Sequence, residues 1–168
     1  MKDLSQAIFS ILSGVLVLPV VWSDQAHALD LDKVLNSPKP CFKQIYSSQH
    51  LNDHPRQTVA AIGLESAQNV ARSKRFRLVL SVKRRGDKAR FSGAAFCGFQ
   101  NARLVTCAVE GDGGTFSVSI GEHKGRKRLK VATGEINLKG KKGSFRFGPG
   151  PDDNIFYLGS FRIHHCPV

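Results

Sequence analysis

Acidic residues are scarce in this chain. Its 168 residues hold 13 Asp and Glu against 25 Lys and Arg, a formal net charge of +12. Such a balance favours anionic partners and long-range steering toward them, and it says nothing about fold. The motifs of metal and phosphate chemistry are also missing. There is no CxxC pair, no HExxH, no DxDxDG calcium loop and no GK[ST] loop leading into a helix. No serine stands in a GxSxG elbow. The carboxylates that could serve a glycosidase (Glu65, Glu110, Asp112, Glu122, Glu135, Asp152 and Asp153) fall mostly in turn-like stretches, and no spacing selects two of them. These absences leave no catalytic constellation, so the expectation is a non-enzymatic protein without a cofactor.

Long apolar runs are confined to the start. Lys2 gives a weak positive charge, Ala7 to Trp22 is almost wholly apolar, and Ala26-His27-Ala28 fits the small-x-small rule for cleavage. The run falls short of the roughly 20 residues of a membrane-spanning helix, and Pro19 interrupts it. Residues 1–28 therefore read as a secretory signal peptide. The protein is expected in the periplasm or outside the cell, with no membrane span after cleavage. Without Lys2, Asp3 and Asp24, the 25 basic and 13 acidic residues become 24 and 11, a net of +13. Residues 29–40 end in SPKP and read as an extended segment, and 41–168 as a single domain.

All four cysteines, Cys41, Cys97, Cys107 and Cys166, follow the leader. An even count in an exported chain points to two disulfides. Three connectivities are open. Cys97–Cys107 is favoured because the two flank a predicted hairpin centred near Ala102. Cys41–Cys166 would then tie the ends together, a closure that the loop-entropy relation values at about 4–5 kcal/mol.

The body of the chain alternates with period two. Phe76, Leu78, Leu80 and Val82 interleave with Arg77, Val79 and Ser81. Runs near 91–96, 104–109, 116–120, 129–131, 136–138, 145–147 and 155–163 continue the series, bounded by Gly, Asp, Asn or Lys. One helical turn is expected at 47–54, with Ser47 or Ser48 as N-cap and Pro55 just past its end. The fold class is therefore all-β, an antiparallel barrel or sandwich of about eight to ten short strands. Glu110-Gly111-Asp112-Gly113-Gly114 connects two of them and reads as a turn, because glycine permits positive φ and aspartate bonds its own backbone.

The pattern Cys41-Phe42, Tyr46, His50-Leu51, His54-Pro55, Gln57, Val59 resembles the amino-terminal part of a family of small secreted bacterial proteins of unknown function. The likeness extends to the Gly-Asp-Gly-Gly hairpin and to Asp152-Asp153 ahead of the last strand and Cys166. It implies a secreted, disulfide-linked β domain and carries no activity or site residue.

Two groups of residues could bind something. His50 and His54 have the spacing of a helical zinc pair but lack the intervening glutamate, so a capped surface turn is the preferred reading. The basic residues say more: Arg72, Lys74 and Arg75; Lys83, Arg84 and Arg85; Lys124, Arg126, Lys127 and Arg128; Lys139, Lys141 and Lys142. In a simple meander alternate loops share an end. This places the loops near 65–75, 121–128 and 139–143 together as an anion-binding end, and puts Lys83 to Arg85 among acidic loops at the other. Export and the lack of free aromatics (only Tyr46 and Phe99 look exposed) argue against nucleic acid. An anionic lipid headgroup, an acidic polysaccharide or an acidic protein suits the compartment. The alternatives are a barrel carrying a small ligand and an inhibitor of an exported enzyme.

Overall fold

The computed structural model describes residues 31–35, 41–66, 75–150, 152–161 and 168. The expected leader, Arg72, Lys74 and the expected Cys41–Cys166 bridge lie outside the described residues. The elements run α1 (Leu31–Leu35), β1 (Cys41–Ile45), α2 (Ser48–Asp53), β2 (Val59–Ser66), β3 (Arg75–Arg84), β4 (Arg90–Asn101), β5 (Leu104–Val109), β6 (Gly114–His123), β7 (Arg126–Gly140), β8 (Gly143–Phe147) and β9 (Ile155–Phe161).

Every strand pairing is antiparallel. Strands β1 to β7 pair in succession, β7 pairs with β9, and β9 returns to β1. Eight strands thus close a barrel, and closure removes the sheet edges that an open sandwich would leave. The period-two pattern supplies its filling. Phe76, Leu78, Leu80 and Val82 of β3 point inward with Phe91 and Ala95 of β4, Val105 and Val109 of β5, Phe116 and Val118 of β6, and Phe156 and Leu158 of β9. All belong to one buried cluster, so side chains occupy the interior. Cys97 and Cys107 face each other across β4 and β5, with Cα atoms 4.1 Å apart, and are joined by a disulfide. The expected pairing holds because the intervening turn does centre on Ala102 and Arg103.

Two expectations change. The segment 29–40 is not wholly extended: residues 31–35 form α1, whose Leu31 and Leu35, four apart and so on one helical face, join the buried cluster. The runs at 129–131 and 136–138 are not two strands divided by a turn. They form the single strand β7, of 15 residues. The break in period at Gly134-Glu135 is a bulge, for the register with β6 jumps between Gly114↔Ile136 and Phe116↔Thr133. A bulge bends a strand without reversing it. Before the bend β7 lies between β6 and β9; after it, between β4 and β8.

Strand β8 pairs only with β7, and it folds across one mouth of the barrel. Phe145 packs at a tilt against Phe91, with ring centroids 5.3 Å apart, and Phe147 meets Phe156 edge-on at 6.3 Å. At this lower end also lie α2, the β3–β4 and β5–β6 loops and the β7–β8 turn. The upper end holds the start of β1 and the β4–β5 and β6–β7 turns.

Candidate binding site

The β6–β7 turn shapes the upper end. Lys124 has φ 52 and Gly125 φ 69, the pair of left-handed residues that a two-residue type I′ hairpin requires. Around it Lys124, Arg126, Lys127 and Arg128 follow one another at the tip, with Arg103 in the other described turn of that end. Among the described residues, Lys124, Arg126, Arg128 and Arg103 take part in no ion pair. Arg75, at the start of β3, stands at the same end.

The other basic residues do not join them. Lys139, Lys141 and Lys142 lie at the lower end, where Lys142 Nζ is 3.6 Å from Asp87 in the β3–β4 loop. The reason is the continuity of β7: one strand fewer shifts every later hairpin to the opposite end, so the expected grouping of 139–143 with 121–128 fails. Several lower-end cations hold structure together. Arg84 pairs with Asp87 at 3.0 Å, and Arg85 donates to the Leu51 carbonyl of α2 at 2.8 Å. Asp87 also accepts from the Ala89 N–H at 2.8 Å. That bond, with the Lys142 and Arg84 charges, holds its carboxyl below the usual range.

On the barrel flank beside the basic hairpin lies a notch. Its lining includes Ile45, Tyr46, His123, Lys124, Ile155 and Tyr157. It exists because β1 and β9 pair only over Cys41↔Phe161, Phe42↔Ser160 and Lys43↔Gly159, then part. Ile45 and Ile155 flank the opening and are 60% and 43% exposed. The His123 ring stacks on Tyr157 at 4.7 Å, joining the hairpin to the notch.

The lower wall of the notch is α2 and its surroundings. Ser47 caps α2 by accepting from the His50 N–H at 3.2 Å. Tyr46, His50 and His54 then stack in one column, with ring centroids 4.6 and 4.4 Å apart. The expected spacing is present, but the rings lie face to face and do not converge on a point. His50 Nε2 donates to the buried Gln57 Oε1 at 2.9 Å, and Gln57 Nε2 donates to the Val59 carbonyl at 2.8 Å. His54 is instead 3.8 Å from Asp152. Among the described residues no three His, Cys, Asp or Glu side chains cluster for a metal.

Asp153 ties the segment before β9 to the start of β2. Its buried carboxylate accepts from the backbone N–H groups of Thr58 (2.8 Å) and Val59 (3.2 Å) and from the Thr58 hydroxyl. These bonds reach across from one end of the domain's sequence to the other. Burial, helped by the Asp153 charge, raises the pKa of the Tyr46 phenol far above its usual value.

No family model, curated protein or solved structure matches this chain. Function therefore rests on the chemistry of these surfaces.

The sequence pointed to His50, His54 and the 124–128 cations. It did not point to Ile45, Ile155 or Tyr157, which meet only when β1 and β9 come together. Two aromatic assignments also change. Phe99 is partly buried against Phe76, with rings 5.4 Å apart, whereas Phe96 is exposed, with the Arg77 guanidinium 5.1 Å over its ring. Strand β4 alternates, so Phe96 faces outward between the inward Ala95 and Cys97. The Gly111–Gly114 stretch is a turn: its Gly113 carbonyl accepts from the Asn137 N–H at 3.0 Å, and Asp112 is exposed.

Proposed function

We propose that the protein is an exported, non-catalytic binding domain that engages an anionic partner through the β6–β7 hairpin end of its barrel. The observation that carries this reading is the run of cations at the hairpin tip, where Lys124, Arg126 and Arg128 have no ion pair among the described residues. Charges already satisfied by carboxylates, as at Arg84 and Lys142, attract a partner less than charges left facing solvent. The hairpin also borders a notch with apolar and aromatic walls, so a bound group would meet more than charge. The filled barrel interior gives the ligand-carrying alternative no support.

The test compares two quadruple variants with equal loss of charge. Lys124, Arg126, Lys127 and Arg128 are changed to Gln in one, and Lys83, Lys88, Lys139 and Lys141 in the other. Binding to heparin and to vesicles containing an anionic phospholipid is measured across a salt series. The hairpin variant is expected to lose most of the affinity and to flatten the salt dependence, which reflects screening over about 8–10 Å near physiological ionic strength. Equal losses in the two variants, or no binding to either probe by the parent, would remove the hairpin reading.

A further inference from the structure

The notch is a missing stretch of β-sheet. In antiparallel strands alternate residues direct their N–H and C=O groups to opposite neighbours. The Tyr46 N–H bond to the Ala60 carbonyl, 3.0 Å, assigns the even residues of β1 to β2. Ile45 must then face β9. The Thr133 N–H bond to the Asn154 carbonyl, 2.9 Å, assigns the even residues of β9 to β7, so Ile155 and Tyr157 must face β1. Continued register would set Ile45 against Tyr157, but pairing stops at Lys43↔Gly159. Two strand edges therefore confront each other across the notch, without backbone partners among the described residues. The Ile45 carbonyl instead accepts from its neighbour's side-chain amide, Gln44 Nε2, at 3.1 Å. A side-chain amide thus fills the place that a strand N–H would take.

We propose that this notch binds an extended acidic peptide segment of a partner protein by strand addition. Three observations converge on that occupant. The open edges offer main-chain hydrogen bonds in strand geometry, which is the source of affinity when a peptide adds to a sheet. Of the three exposed large hydrophobics among the described residues, two, Ile45 and Ile155, stand at these edges and would be covered by alternate apolar side chains of the peptide. His123, stacked on the outward-facing Tyr157, and Lys124 border the same outer face as Ile45 and Ile155, with Arg126 and Arg128 beyond, so outward side chains of the peptide are apolar over the isoleucines and acidic nearer the hairpin. A lipid or polysaccharide would use the charge but leave the strand edges unsatisfied. The inference rests on the hairpin reading for its acidic preference and on the β1–β9 seam for its strand geometry.

The probes are heptapeptides whose alternate, outward positions carry Val or Ile at one end and Glu or Asp at the other, with Thr between, each matched by a copy N-methylated at alternate backbone amides. Methylation removes main-chain donors and leaves charge unchanged. Fluorescence anisotropy with the whole disulfide-bonded protein should show the parent peptides binding at least tenfold more tightly than the methylated copies. Ile45→Ser and Ile155→Ser should each weaken binding several-fold with the unfolding midpoint little changed, and the Ile45 amide should gain hydrogen-exchange protection on binding. Equal binding of methylated and parent peptides would overturn strand addition while leaving the anionic reading intact. Strand addition is likewise overturned if no peptide binds but heparin still does. Failure of peptides and heparin together would end both.

Discussion

Tyr46 heads the column of stacked rings near the Asp153 carboxylate, and its phenol couples folding to alkaline pH. Its folded-state pKa is raised, chiefly by burial and then by the nearby Asp153 charge. An unfolded tyrosine releases its proton near pH 10. Folded Tyr46 holds its proton beyond that point, so the folded state binds more protons there and stability falls with rising pH. The contribution is fully present below about pH 10 and drains away above it. In Tyr46→Phe this loss is absent. Urea unfolding of the two proteins should give a constant stability difference up to about pH 9. Above pH 10 it should drift in favour of the variant, toward a slope of about 1.4 kcal/mol per pH unit. Parallel curves to pH 11 would show that the phenol is not held neutral. None of this could be read from the sequence. Asp152-Asp153 looks like any polar turn before a strand, and only the fold brings Asp153 to the N–H groups of residues 94 and 95 positions earlier.

At the level of elements, Gly114 and the bend in β7 form one device. Gly114 has φ +86, and a Cβ placed there would lie 1.9 Å from the Glu135 carbonyl oxygen. The bulge at Gly134-Glu135 brings β7 that close, and only a residue without a side chain tolerates both the approach and the backbone angle. Gly114→Ala should therefore destabilise the protein by about 2 kcal/mol or more. Gly111→Ala, with positive φ but open space around it, should cost about 1 kcal/mol. Denaturant midpoints at unchanged slope would measure both, and equal effects would show that the contact with Glu135 does not matter. The strands themselves were legible because a half-buried strand must alternate, and Phe76, Leu78, Leu80 and Val82 recur at every second position. The Thr133-Gly134-Glu135 interruption misled because a bulge and a turn use the same residue types. Pairing register distinguishes them, and register is a property of two strands. That single misreading moved Lys139, Lys141 and Lys142 to the wrong end of the molecule.

At the scale of the whole molecule, Cys41 of β1 pairs with Phe161 of β9, so the barrel closes between strands far apart in sequence. The barrel is complete only when these meet. Strands β2 to β7 can pair through short turns or local links, each closing on a neighbour already at hand. The β1–β9 seam has no such advantage, because its ends are separated by almost the whole domain and the loop entropy must be met before the contacts form. Its few paired residues offer little in return, since β1 and β9 part after Lys43↔Gly159. Refolding of the disulfide-intact chain should therefore fall in the millisecond-to-second range of β-rich domains with distant contacts. Pulsed hydrogen exchange should protect the amides of β3, β4 and β5 before those of residues 41–43 and 159–161. Early protection at the seam would contradict this order. Until closure the growing sheet carries bare edges at both ends, the condition in which β proteins misassociate. The first strand to be synthesised is thus the last to find its partner.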